Sequence, residues 1–443
     1  MLLRSRAGRV FATAALTLIA VLASGAPANA ADKAIWGPTT LPDGSSAFGL
    51  YGELGIDTLQ LSVRWADVAP SRPGSATDPA DPAYRWPPHV ADAAAEASRN
   101  GIRLALLVTS APPWANGGRA PIWRPGDPQD FADFLTAVAR RYPAVRRWMI
   151  WGEPNRADRF QPNKENNRAG PRAYAPLLDA AYAALKRVSP RNRVIGGMTW
   201  TSGTLTPSAF LRWMRLPNGR RPRLNWFGHN PFPFRFPKLA EGPLGGFRDI
   251  SDTDTFSREV RRAYKRAVPL WLSEYTIQTE RGSDVFATFV SERSQARYLT
   301  TGYKIADELG RRVAGLGWLS LLDEPEARGS ANWGVMTYGL RRKPSLAALV
   351  RAPSERFRPR VAVLRSPGRG ALRLTVVLTP RRAGVIRLEL RHGGRRVDRS
   401  RVRVKADRRR TVRLRHASPV RGHYTVILRT SRGTTVRRRV RVH

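Results

Sequence analysis

The stretch RRWMIWGEPNR, residues 146–156, decides how this chain is read. Trp148, Met149, Ile150 and Trp151 form an apolar run of the length of a buried strand, and it breaks at Gly152-Glu153-Pro154-Asn155. A carboxylate left in apolar surroundings is costly unless it is paired or holds a proton. A glutamate where a buried strand stops therefore marks either a structural cap or a place of chemistry.

Working outward, seven further runs of the same kind appear. They cover Ala34–Gly37, Thr58–Arg64, Arg103–Thr109, Arg193–Met198, Leu224–His229, Pro269–Glu274 and Val313–Leu319, with Trp148–Gly152 as the fourth of the eight. Amphipathic stretches rich in Ala, Leu and Arg lie between them, among them Val90–Asn100, Asp130–Tyr142, Ala173–Val188, Asp254–Ala267 and Glu292–Leu309. Short β-rich runs alternating with helical ones predict a parallel sheet wrapped by helices. Eight repeats in succession fit an α/β fold of the (β/α)8 TIM-barrel type. An open doubly wound sheet competes, but no Gly-rich dinucleotide or phosphate loop follows any of the strands.

Before the first strand, Arg4, Arg6 and Arg9, an apolar core from Val10 to Ala23, and Ala28-Asn29-Ala30 have the layout of an export signal. Residues 1–30 are therefore read as a signal peptide, and the mature chain as secreted or extracellular. No later stretch is apolar enough to span a membrane. The chain has no cysteine, so neither a disulfide nor a thiolate metal site can form.

After Leu349 the pattern changes. From Arg360 onward short alternating strands follow one another: Val361–Leu364, Leu372–Leu378, Gly384–Arg391, Val402–Lys405, Val412–Leu414, His423–Arg429 and Thr435–Val442. Turn signals such as His392-Gly393-Gly394 separate them. The expected organisation is thus a signal at 1–30, a barrel over 31–352 and a small all-β, Ig-like sandwich over 353–443. The formal charge of the whole chain is +42, and residues 356–443 carry 28 Lys+Arg against 3 Asp+Glu, a net +25. Two readings stand for this excess. One is a surface for an anionic cell-wall polymer, with nucleic acid the disfavoured partner. The other is a solvated outer face in a chain that favours arginine throughout, since only eight of its 76 basic residues are Lys.

The ends of the barrel strands hold the chemistry. The second ends in Arg64-Trp65, the fourth in Glu153, the sixth in His229-Asn230, the seventh in Glu274 and the eighth in Trp318. Two carboxylates at one barrel mouth, among tryptophans that can stack on pyranose rings, suit glycosidic-bond chemistry. Trp151-Gly152-Glu153-Pro154-Asn155, followed by Leu272-Ser273-Glu274-Tyr275, resembles the acid/base and nucleophile motifs of the clan A retaining glycoside hydrolases, in the style of the cellulase-like family 5 and the β-xylosidase-like family 39. Ala111-Pro112-Pro113-Trp114 and the run from Gly339 to Ser345 add to the likeness, which spans roughly residues 33–350.

The resemblance implies that Glu153 is the general acid/base and Glu274 the nucleophile, acting on a polysaccharide or oligosaccharide with no cofactor. Beside it, the apolar flanks Trp151 and Pro154 are expected to hold Glu153 protonated. Arg64, His229 and Tyr275 are expected to keep Glu274 ionised. Trp65, Trp114, Asn155, Asn230 and Trp318 complete the candidate substrate-binding set. His229 reads equally as a satisfied core histidine, and Trp114 and Trp318 as core aromatics. The sequence departs from the family pattern at Gly152, where an asparagine normally holds the sugar 2-hydroxyl; either Asn155, Asn230 or another polar group replaces it, or the substrate differs at that carbon. The strand-six run His229-Asn230-Pro231-Phe232 also lacks the tyrosine usual in family 5. The six histidines are scattered and no Gly-x-Ser-x-Gly elbow occurs, so neither a metal site nor a serine hydrolase is expected. The alternative function is a non-catalytic glycan-binding or cell-envelope protein on the same scaffold.

Overall fold

The computed structural model describes residues 31–239, 246–280, 288–325, 329–353, 360–366, 372–379, 384–405, 410–417, 419–430 and 435–442. The expected export signal lies outside the described residues. Eight strands, β1 (Asp32–Trp36), β2 (Thr58–Arg64), β3 (Arg103–Thr109), β4 (Arg147–Ile150), β5 (Arg193–Trp200), β6 (Trp226–Asn230), β7 (Leu270–Tyr275) and β8 (Val313–Leu319), close into a barrel. Every pairing is parallel, and β1 meets β8 with Asp32 opposite Gly315 to seal the ring. The (β/α)8 barrel expected from the alternation is the fold observed.

The side-chain period of two explains how the wall is built. On β2, β3 and β4, Leu59, Leu61, Val63, Leu104, Leu106, Val108, Trp148 and Ile150 belong to the large core shared with the helices. Ala34, Ala105, Leu107, Met149, Ile195, Met198 and Trp271 point the other way and fill the barrel itself. Two glycines of β8 make that filling fit. A Cβ on Gly315 would lie 2.3 Å from the Trp271 ring, and one on Gly317 would lie 2.2 Å from Ser273 O and 2.4 Å from Gln60 Nε2.

The helices match their expected spans to within a few residues: Pro88–Asn100, Pro128–Arg141, Ala169–Val188, Thr253–Tyr264 and Glu292–Leu309. Local signals fix several of the starts. Asp127 and Ser291 cap with their side chains, and Pro128 stands in the first turn, where its missing N–H costs nothing. Phe48–Leu54 and Pro207–Trp213 were not expected; each has seven residues, too few to display a helical period. Among the described residues no helix is long and apolar enough to cross a membrane.

The C-terminal segment forms seven strands: β9 (Arg360–Ser366), β10 (Leu372–Thr379), β11 (Gly384–His392), β12 (Arg395–Val404), β13 (Arg410–His416), β14 (Gly422–Thr430) and β15 (Thr435–Val442). They make two antiparallel sheets, β9-β10-β13 and β12-β11-β14-β15. Leu372, Leu374, Val376 and Leu414 of one sheet share a core with Ile386, Leu388, Val426 and Leu428 of the other. Arg373, Arg387, Arg403, Arg413 and Arg415 alternate with them on the exposed side. β12 is longer than its expected Val402–Lys405. Gly393 and Gly394 both take positive φ (52° and 80°) in a two-residue turn that pins β12 to β11 from Arg395 onward, where no apolar alternation marks a strand.

Candidate active site

β4 leaves the barrel wall through a sharp reversal. Trp151 and Glu153 both take left-handed backbone angles, φ 59° and 48°, on either side of Gly152. Such angles cost a residue with a Cβ roughly 1 kcal/mol, and backbone bonds hold them: Trp151 N–H donates to Val108 O at 2.9 Å and Glu153 N–H to Met198 O at 3.0 Å. The reversal carries the Trp151 indole into the outer core against Phe131 and Phe160. It turns Glu153 instead toward the ends of β6 and β7.

Glu153 is 8% exposed and has partners on both oxygens. Oε1 accepts from Asn230 Nδ2 at 3.0 Å, and Oε2 from Arg156 Nη1 at 2.8 Å. Arg156 is itself clamped, with Nη2 on Asp158 at 2.6 Å and its guanidinium 4.5 Å over the Trp200 ring. Glu274 stands at the end of β7. Burial and then the neighbouring Glu153 charge push its carboxyl up to about 8, while Arg159, Arg156 and a hydrogen bond from Asn230 pull the other way. The Asn230 amide thus serves both carboxylates. Raised to about 8, Glu274 holds its proton near neutrality in the ligand-free protein. Asn230 Oδ1, buried and without a protein partner, remains as an acceptor for a ligand hydroxyl.

Below Glu274 a polar network inside the barrel holds the strand. Ser273 O accepts from Gln60 Nε2 at 2.9 Å and from Trp36 Nε1 at 3.1 Å. Gln60 Oε1 accepts from Trp271 Nε1 at 3.0 Å and Ser273 Oγ at 3.1 Å. With its amide satisfied at both ends, Gln60 fixes the backbone immediately before Glu274.

Several expected site residues are structural instead. His229 is fully buried, its Nδ1 beside Thr199 Oγ1 at 2.9 Å and Thr199 O at 2.8 Å, its Nε2 2.7 Å from Arg248 O. Burial pushes it down to about 4, so it is a neutral core histidine and no donor to Glu274. Tyr275 faces outward from β7 and donates to Tyr298 O at 2.6 Å. Asn155 is consumed by the loop after β5, donating to the carbonyls of Trp200, Ser202 and Leu205 and accepting from Trp200 N–H. Trp65 packs edge-on to Trp114 in the outer core, and Trp114 Nε1 donates to Ala69 O. Trp318 packs against Tyr275 and donates to Trp333 O. Arg64 lies in the open, its side chain 54% exposed and 3.4 Å from Asp67; the cations acting on Glu274 are Arg159 and Arg156. Of the eight expected substrate-binding residues, Asn230 is the one in contact with the carboxylate pair.

The surroundings of the two glutamates differ from those expected. Trp151 points away from Glu153 and gives it no apolar wall; Arg156 gives it a cation. The carboxyl raised by burial is Glu274. Gly152, where a larger residue is usual, would direct a Cβ to 3.3 Å from Leu107 Cδ2, so the inner wall there is aliphatic.

Arg156, Arg159, Trp200, Trp36, Gln60 and Ser273 escaped the sequence reading. Trp36 and Gln60 had a usable signal, because each lies an even number of residues from an inward-facing position on its strand. Arg156 and Trp200 had none, since a loop brings Arg156 to Glu153 and a bulged strand end sets Trp200 under Arg156. Among the described residues no group of three or more His, Asp or Glu is placed to hold a metal ion.

No protein-family model matches this chain, and no curated protein matches it. Solved structures do. A family 39 glycoside hydrolase from the gut symbiont Bacteroides cellulosilyticus is 16% identical with a TM-score of 0.54, over 88% of this chain and 82% of that one. A monomeric β-xylosidase from Caulobacter crescentus is 14% identical with a TM-score of 0.51, over 90% of this chain and 95% of that one. At these identities the likeness is one of fold: a barrel of the kind found in family 39 glycoside hydrolases.

Proposed function

We infer that the protein is a secreted glycoside hydrolase, cleaving the O-glycosidic bonds of a β-linked glycan by retaining double displacement. The observation that carries this reading is the carboxylate pair at the carboxyl ends of β4 and β7, both served by the Asn230 amide. A retaining site sets its two carboxyls about 5–5.5 Å apart and an inverting one about 6.5–9.5 Å apart; the likeness of both glutamate motifs to retaining enzymes favours the first.

In the first step the Glu274 carboxylate attacks the anomeric carbon while Glu153 gives its proton to the departing oxygen. In the second, Glu153 takes a proton from water, whose oxygen displaces Glu274 and restores the starting configuration. The ligand-free pair has its proton to place before this can begin. A sugar hydroxyl donating to Glu274, with the glycosidic oxygen accepting from Glu153, draws the proton onto Glu153. Arg159 and Arg156 assist by favouring ionised Glu274. The half-buried Trp36, which donates to Ser273 O, and Trp200, under the Arg156 guanidinium, are the candidates for stacking on the sugar. The sheet partition of β9–β15 supports an Ig-like accessory module over 353–443.

A screen of aryl β-glycosides with product configuration read by NMR tests the proposal. Turnover with the β-anomer formed first is expected, and Glu274→Gly with azide should yield the α-glycosyl azide. Glycan binding without turnover of any aryl glycoside at any pH would establish the non-catalytic alternative; an α-anomer formed first by the wild type would overturn the retaining route.

A further inference from the structure

The amino-terminal mouth of the barrel, opposite the carboxylate pair, holds a cavity of about 470 Å³. Its walls come from the strand starts: Asp32 on β1, Arg103 on β3, Arg146 and Arg147 at β4, Arg191 and Arg193 at β5, with Trp226 among the apolar floor. Arg311, before β8, adds a sixth guanidinium. Asp32, the sole acid in this wall, is already committed. It accepts from Arg103 Nη2 at 2.8 Å, Arg147 Nη2 at 2.6 Å and Thr58 Oγ1 at 3.1 Å. Among the described residues no ion pair joins Arg146, Arg191 or Arg193 to a carboxylate. Their field reaches Lys186, whose ammonium is depressed by burial and, after it, by Arg193.

Helix carbonyl ends gather at this face of a (β/α)8 barrel and favour cations. That preference is met by other residues, Arg140 and Arg141 in the last turn of one helix and Lys186 and Arg187 in that of the next. The strand-start arginines come in addition, and they converge on a concave site. Concentrating like charge around a cavity is unfavourable without a counter-ion, and forked guanidiniums match tetrahedral oxyanions.

The geometry points to a binding site for a phosphate-class oxyanion at the amino-terminal mouth, held by Arg146, Arg191 and Arg193 over the Asp32-braced Arg103 and Arg147. Free phosphate and phosphate carried on a polymer present the same group. Isothermal titration calorimetry of the full chain at low salt, with inorganic pyrophosphate and with a glycerol-phosphate polymer, distinguishes the two sources. Saturable pyrophosphate binding that weakens with salt is expected, together with at least a tenfold loss in the triple variant Arg146→Ala, Arg191→Ala, Arg193→Ala. The double variant Arg191→Ala, Arg193→Ala changes only exposed side chains and keeps the test open if the triple variant folds poorly; it should lose at least threefold. A sandwich variant, Arg396→Ala with Arg399→Ala, should leave pyrophosphate affinity unchanged. Absence of pyrophosphate binding, affinity indifferent to the double variant, or loss only in the sandwich variant overturns the site. Polymer binding that tracks the same variants assigns the polymer as its source, and polymer binding that ignores them leaves free phosphate as the ligand.

Discussion

The two mouths of this barrel are ends of the same eight strands, yet they carry opposite chemistry. At the carboxyl ends two glutamates are set against each other, with Asn230 and Arg156 donating to Glu153 and Arg159 and Arg156 favouring ionised Glu274. At the amino ends one aspartate is outnumbered by arginines and serves to brace two of them. Between the mouths, Ala34, Ala105, Met149, Ile195 and Trp271 fill the interior. A packed interior of this kind lets one end evolve a reaction and the other a charge site with little cross-talk. The difference teaches that acid outnumbered by base is used here as a structural tie, whereas burial beside a second acid raises a carboxyl toward neutrality.

Four substitutions test that contrast, from the largest expected effect down. Glu274→Gly should cut kcat on an aryl β-glycoside by about 10⁴-fold or more, with azide restoring turnover, while leaving pyrophosphate binding at the opposite mouth intact. The contrast breaks if both activities fall together. Asp32→Asn should do the reverse. It uncouples a buried acceptor from two guanidiniums and is expected to cost about 3 kcal/mol of stability, read as a lower Tm, with the shape of the pH–rate profile unchanged.

Arg156→Ala is expected to lower kcat/KM by roughly tenfold, the scale of one charge-assisted hydrogen bond. Because Arg156 helps keep Glu274 ionised, its loss should move the acidic limb of the profile to higher pH; a limb that stays in place would remove Arg156 from the electrostatics of the pair. The smallest effect belongs to Gly152→Asn. Leu107 has to yield only a few tenths of an ångström to admit the Cβ, so Tm should hold within a few degrees, and any change in kcat/KM should depend on whether the substrate carries a 2-hydroxyl.

The same pair makes a pH-dependent demand on the fold. Glu274 is pushed up from an ordinary 4.5 to about 8, so the unfolded chain ionises it first. Its contribution to stability is complete below about pH 4.5 and is lost as pH rises through about 8. Tm of the isosteric Glu274→Gln variant should therefore exceed that of the wild type above pH 8, with the advantage shrinking toward pH 5. A constant offset across that range would contradict the linkage.

Much of this is legible in the sequence. The eight strands, five of the helices and the positions of Glu153 and Glu274 at strand ends follow from patterns of two and 3.6 residues and from where apolar runs stop. The surroundings of the glutamates were not legible. His229, Asn155, Tyr275 and Trp318 have the right chemistry at the right strand ends, but whether such a residue faces the mouth or the helices turns on single-residue shifts. The left-handed turn at Trp151 and Glu153 and the register shifts along β5 and β8 are such shifts. The basic cavity was invisible for a related reason: its arginines stand far apart in the chain, at positions that alternation alone treats as solvated.

Local pattern thus determined the barrel and the two carboxylates, because strand and helix periods are properties of consecutive residues and a buried run must end where its polar group does. Only the closed barrel decided that Asn230 serves both acids, that Arg156 rather than Arg64 tempers them, and that six distant arginines face one cavity. Those are distances between strand ends, and strand ends become neighbours only when the sheet closes.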